Sequence, residues 1–104
     1  MKDIKNKDEF EKILSEDSYV VADFWASWCG QCKSLAPRIE KIAEDNKEIT
    51  FVKIDAEECE DISESYKINS LPTMIFFKNG NEVSRLNGAV GNIVIMNNLA
   101  LMKD

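Results

Sequence analysis

At 104 residues with 44% apolar content, the chain is long enough for one compact core and no more, which makes residues 1–104 a single expected domain. A net charge of −6, from 13 basic and 19 acidic side chains, argues against nucleic acid or an anionic membrane as the principal partner. No stretch has the apolar length needed to span a bilayer, and the first six residues lack the apolar run of a signal peptide, so a cytoplasmic location is expected.

Lys2 to Lys5 has the character of a short first strand. Asn6 then reads as a helix N-cap, with Glu9 three residues on in a variant of the capping box, and Phe10, Ile13 and Leu14 form the apolar stripe of that helix. Tyr19 to Trp25 is nearly all apolar, the pattern of a central strand buried on both faces. Leu35, Ala36, Ile39, Ile42 and Ala43 recur at three- and four-residue spacing and predict a second helix from about Cys29 to about Asn46, with Pro37 removing one backbone donor inside it. Ile49 to Ile54 is expected as the third strand, Cys59 to Tyr66 as a short helix and Met74 to Phe77 as the fourth strand. Asn79-Gly80 is a strong turn signal leading to a fifth strand around Glu82 to Leu86. Gly88 and Gly91 interrupt the chain before a last helix, Ile93 to Met102. Alternating strands and helices, then a hairpin and a helix, predict a mixed sheet covered by helices on both faces.

Three cysteines are too few, and of the wrong parity, for a disulfide-stapled scaffold. Cys29 and Cys32 are two residues apart, where a strand ends and a helix begins. Unpaired N–H groups and the positive end of the helix dipole meet there, and both stabilise a thiolate. Cys29 is the expected nucleophile: it attacks a substrate disulfide, and Cys32 resolves the mixed disulfide. The alternatives are a structural disulfide or half of a zinc site, but zinc usually needs four ligands and the chain has no His and one further Cys. No metal and no bound cofactor are expected. With no nucleotide-binding glycine motif, electrons must come from another protein.

Asp23 is an ionisable group inside the apolar run before Cys29. Burial disfavours its charged form, and a carboxyl tuned that way exchanges a proton with Cys32 when Cys32 attacks. The alternative is a structural aspartate bonded to backbone at the strand end. Trp28 reads as part of an exposed apolar rim and Trp25 as partly core. Gly30 leaves the Cys29 sulfur uncovered, while Gly88 and Ala89 let a substrate chain approach closely; simple turn chemistry explains these small residues equally. Cys59 lies among Glu57, Glu58, Glu60 and Asp61, whose charge makes it less reactive than Cys29, and it reads as structural.

Seven pieces together resemble the thioredoxin family over essentially the whole length: Asp23-Phe24-Trp25-Ala26, Trp28-Cys29-Gly30 with Cys32-Lys33, Ala36-Pro37, Val52-Lys53-Ile54-Asp55, Leu71-Pro72-Thr73, Phe77-Lys78-Asn79-Gly80 and Gly88-Ala89. The resemblance implies the thioredoxin fold, a central five-stranded mixed sheet flanked by four helices. It also implies a general protein dithiol–disulfide oxidoreductase that reduces client proteins, is re-reduced by an NADPH-linked thioredoxin reductase, and acts as a monomer. It implies a cis bond before Pro72, beside the dithiol, with the Leu71 backbone free to pair with an extended substrate chain. For Lys53 two readings stand: a neighbour of Asp23 that draws its pKa back down, as the resemblance implies, or a solvated strand-end lysine.

One position departs from the family pattern. Gln31 stands where these proteins usually carry Pro, so it adds an N–H in the first helical turn. A bond from that N–H to the Cys29 sulfur is expected to make the dithiol a weaker reductant. Two rival functions are an oxidase or isomerase running the same chemistry backwards, and a non-catalytic interaction subunit using the rim around Trp28 and Pro72.

Overall fold

The computed structural model describes residues 1–104 throughout. The chain runs β1 (Lys2–Ile4), α1 (Lys7–Glu16), β2 (Tyr19–Trp25), α2 (Gly30–Glu44), β3 (Thr50–Asp55), α3 (Glu60–Ser65), β4 (Thr73–Lys78), β5 (Asn81–Asn87) and α4 (Asn92–Lys103). The elements and their order are those expected, with ends moved by a residue or two. The strands make one sheet in the order β1-β3-β2-β4-β5. β1, β3 and β2 pair in parallel, while β4 pairs antiparallel with both β2 and β5.

Local chemistry sets the element ends. The Asn6 side chain accepts from Glu9 N–H at 2.9 Å, while the Glu9 carboxylate accepts from Lys5 N–H at 2.8 Å. The capping box therefore closes on the residue before the cap. At the β4–β5 turn, Asn79 and Gly80 both take positive φ, 51° and 81°, the pair of left-handed residues that a tight hairpin needs. A Cβ on Gly80 would also sit 3.4 Å from the Leu14 carbonyl oxygen.

β2 lies between β3 and β4, so its side chains alternate between two covered faces. Val20, Ala22 and Phe24 join Phe10, Leu14, Val52, Ile54, Ile62, Ile75 and Phe77 beneath α1 and α3. Val21 points the other way, with Leu35, Ile39, Ile42, Phe51, Met74, Phe76, Ile95 and Leu99, beneath α2 and α4. Phe10 is the aromatic hub of the first face. Its ring meets Tyr66 and Phe77 edge-on, each at 5.8 Å between centroids. Removing that buried ring leaves a cavity bounded by a rigid sheet, so Phe10→Ala is expected to cost about 3–5 kcal/mol in urea unfolding, with an unchanged denaturant slope.

Candidate active site

β2 ends at Trp25, and the chain turns through Ala26 to Cys29, whose N–H donates to the Ala26 carbonyl at 3.1 Å. Cys29 is the N-cap of α2, with an extended backbone and a sulfur that accepts from the Cys32 N–H at 3.2 Å. A thiol thus does the work that Ser or Asp does at other helix starts. Cys29 and Cys32 are free thiols, and the Cys32 thiol donates to the Cys29 sulfur at 2.6 Å. That separation is close to the roughly 2.05 Å of a disulfide, so the pair can close with small movement. Both are buried, at 7% and 5% exposure, and pack with Ala26, Trp25 and Leu71. A Cβ at Gly30 would meet nothing within 4 Å, so the surface beside Cys29 is open.

The two sulfurs differ electrically. Burial pushes the Cys32 thiol up to about 12, aided by its hydrogen bond to Cys29 and by the nearby charges of Cys29 and Asp23. Cys32 therefore holds its proton while Cys29 receives two donors. Gln31 is exposed and makes no hydrogen bond to the Cys29 sulfur; the backbone donor that reaches it belongs to Cys32. The expected Gln31 contact is not formed, because a sulfur in the cap position faces the N–H three residues on.

Asp23 is 4% exposed, and no protein group donates to its Oδ1. Burial raises its carboxyl from the ordinary 3.8 to about 7, opposed by the Lys53 ammonium. Lys53 is the β3 residue in register with Asp23, yet its ammonium lies over the Trp25 ring, 4.9 Å from the centroid. It is therefore a counter-charge to Asp23 that forms no direct ion pair with it, engaged instead with an aromatic face. Asp23, Trp25, Cys32, Lys33, Ala36 and Lys53 line a cavity of about 230 Å³, several times the volume one water occupies.

The remaining predicted residues form a rim. Trp28 is 67% exposed, and a second cavity of about 280 Å³ runs from it past Ile68 and Ser70 to Leu71. The Leu71–Pro72 bond is cis. Neither the N–H nor the carbonyl of Leu71 is bonded within the protein, whereas the Pro72 carbonyl accepts from Gly88 N–H at 2.7 Å. Gly88 has φ of 89°, a conformation that suits glycine, and Ala89 beside it is half-buried. Cys59 is away from this constellation, buried in the first core face with its sulfur 3.6 Å from the Ile4 carbonyl. Burial is the main reason its thiol is raised, ahead of Asp61, Asp55 and Glu58. The largest cavity, about 490 Å³, lies at the opposite end of β2, between α1 and the β4–β5 turn, and is lined mostly by polar side chains. Reading the sequence missed Ala26 as the third wall of the dithiol pocket, and it missed Arg38. That side chain reaches from α2 to Asn92 Oδ1 and to the carbonyl of Val90, 52 residues away, a pairing with no local signal.

A family model described as Thioredoxin matches residues 2–100. The chain belongs to the thioredoxin family. It is 50% identical over 80 residues to a thioredoxin of Mycoplasmoides gallisepticum, covering 77% of this chain and 80% of that one. It is 45% identical over 82 residues to a thioredoxin of Echinococcus granulosus, covering 79% and 77%. Among solved structures, Plasmodium falciparum thioredoxin superposes with a TM-score of 0.88 at 35% identity, over 99% of this chain and 98% of that one. The fold is the thioredoxin fold, and the chain is a protein dithiol–disulfide oxidoreductase that works as a disulfide reductase.

Two measurements check the electrostatics. Brief treatment of the reduced protein with iodoacetamide near neutral pH, followed by mass mapping, should label Cys29 first. The Cys32 and Cys59 thiols are both raised, so they lag. Asp23 gives a pH signature. Its folded-state value lies above its unfolded one, so the protonated carboxyl is tolerated below pH 4 and stability is lost as pH rises from 3.8 through about 7. At about 1.4 kcal/mol per tenfold change in proton affinity, the full cost above pH 7 is up to ~4 kcal/mol. Asp23→Asn should therefore match the parent in urea unfolding at pH 4 and exceed it by about 2–4 kcal/mol at pH 8.

Proposed function

We propose that residues 1–104 act as a single monomeric thioredoxin domain in the cytosol, with Cys29 as the attacking sulfur and Cys32 as the resolving one. The observation that carries this reading is the asymmetry of the pair: Cys29 receives both an N–H and an S–H, while Cys32 holds its proton beside a buried carboxyl. The Cys29 thiolate attacks one sulfur of a client disulfide; a Cys29–client bond forms and the other client sulfur leaves as a thiolate. Cys32 then gives its proton to Asp23 across the shared cavity and attacks Cys29, releasing the second client thiol. Two electrons pass to the client, and the Cys29–Cys32 disulfide remains for reduction. An acceptor near 7 suits that transfer, since it is readily loaded and unloaded at neutral pH. Lys53 draws the Asp23 carboxyl partly back down.

The client chain is read as lying against Trp28 and Gly30, pairing its backbone with the free N–H and carbonyl of Leu71 beside Pro72, and passing close to Gly88 and Ala89. Gln31, exposed next to the dithiol, offers its amide to that chain. Re-reduction is assigned to an NADPH-linked thioredoxin reductase. The cytosolic reading is supported by the use of cysteine, three buried free thiols with none committed to a structural bridge.

Turbidimetric reduction of insulin with dithiothreitol tests the assignment. Cys29→Ser should abolish acceleration, and Cys32→Ser should trap a stable mixed disulfide at Cys29 visible by mass. Asp23→Asn should keep the first attack near the parent rate and slow release from the mixed disulfide by about ten- to a hundredfold at pH 7 in stopped flow. Unchanged release would remove Asp23 from the mechanism, and a Cys29→Ser, Cys32→Ser protein that keeps full biological activity without reducing insulin would instead make the chain an interaction subunit.

A further inference from the structure

The segment 88–91 joins β5 to α4 and is glycine at both ends, which leaves its backbone loosely determined by sequence. At its start, Gly88 N–H donates to the Pro72 carbonyl at 2.7 Å, and Val90 N–H folds back to the Gly88 carbonyl at 3.0 Å. Ala89 keeps both its N–H and its carbonyl free of protein partners. The far end is held by one side chain from another element. Arg38 donates through Nε to Asn92 Oδ1 at 2.8 Å and through Nη2 to the Val90 carbonyl. No carboxylate lies within ion-pair distance of it, although the chain has 19 acidic residues. The guanidinium is thus committed to this segment, and it stands on the same helix as Cys32.

We propose that Arg38 is a positioning residue that fixes the Ala89 main chain relative to the dithiol helix, and thereby favours disulfides carried on extended polypeptide over small disulfides. The proposal rests on the reading that a client chain passes along Leu71 and Ala89. A planar guanidinium gripping two acceptors restrains both their distance and their angle. With the clasp in place, the segment is ordered in advance of binding. Without it, each client must order the segment as it binds, so affinity falls while the sulfur chemistry at Cys29 stays as it was. A small disulfide reaches Cys29 without using the segment at all.

The test uses the pre-reduced full chain in single turnover, against insulin over a concentration series and against a small aryl disulfide that releases a coloured thiolate. Arg38→Met should raise the half-saturating insulin concentration about five- to tenfold, with limiting rate and small-disulfide rate each within about twofold of the parent. Asn92→Ala leaves the charge of Arg38 in place and should raise it about two- to threefold with the same signature. Arg38→Lys, a single-point donor, should recover only part of the loss. Unchanged half-saturation in both Arg38→Met and Asn92→Ala overturns the proposal, as does an equal loss on both substrates or complete rescue by Lys. Should Arg38→Met not fold, Asn92→Ala decides alone. Ala89→Asp separates the two levels. A raised half-saturation there, with none at Arg38 or Asn92, overturns the positioning role only, and no change at Ala89 overturns the client-path reading beneath it.

Discussion

The whole arrangement depends on β2 being paired on both edges and covered on both faces. A strand in that position has no access to water, so its residues must be apolar, and five of its seven are buried outright. Asp23 breaks the rule. An uncompensated carboxyl at 4% exposure lowers stability at neutral pH, and nothing in the protein donates to its Oδ1 to offset that. Its position explains the exception: it lines the same cavity as Cys32, on the face covered by α2. Stability given up in the sheet appears as a carboxyl near 7 next to a thiol near 12, two groups of unequal proton affinity brought together by the fold.

The polarity of the dithiol follows from where the helix starts. An N-cap needs an acceptor, and Cys29 supplies its sulfur, so the backbone donor of Cys32 is aimed at it by helical geometry. Cys32, one turn inward, is in no such place: it lines the cavity that Asp23 also lines, and Cys29 does not. Two chemically identical side chains thus receive different surroundings from three residues of helix. The same geometry explains why Gln31 has little hold on the sulfur. The residue between the small Gly30 and Cys32 points outward, and its N–H is not the one that the cap position selects.

What could be read from the sequence was what local pattern encodes. The apolar run of β2, the helical spacing of α2, the Asn79-Gly80 turn and the Cys29–Cys32 spacing each carry their meaning within a few residues, and each lies where it was read. What pattern could not supply were contacts made across the fold. Lys53 was legible as a neighbour of Asp23 that draws its carboxyl down, and it does so, but the placement of its ammonium over the Trp25 ring was not. Cys59 was read through its acidic sequence neighbours, whereas its depth in the core is the larger influence on its thiol. Arg38 was passed over because it looks like one more charged position on an amphipathic helix.

The proposed site draws on three segments far apart in the chain: the β2–α2 turn with the dithiol, the Leu71–Pro72 turn before β4, and the segment after β5. Each is an irregular piece of backbone that the sheet alone does not fix. The sheet brings the first two together, because β4 pairs with β2 and Thr73 is opposite Phe24, just short of the turn that leads to Cys29. The third is tied to the second by the Gly88–Pro72 bond and to α2 by Arg38. The walls of the site therefore form a closed circuit, from helix to cis-proline turn to glycine segment and back to the helix. In such a circuit, a looser bond at any one point lets the other walls drift, and precision in the gap depends on its weakest link. Regular secondary structure supplies the first of these joints; a single hydrogen bond and one guanidinium supply the other two. That division explains why the dithiol chemistry is robustly encoded in a short motif while the shape of the surface around it depends on residues as distant in sequence as Arg38 and Val90.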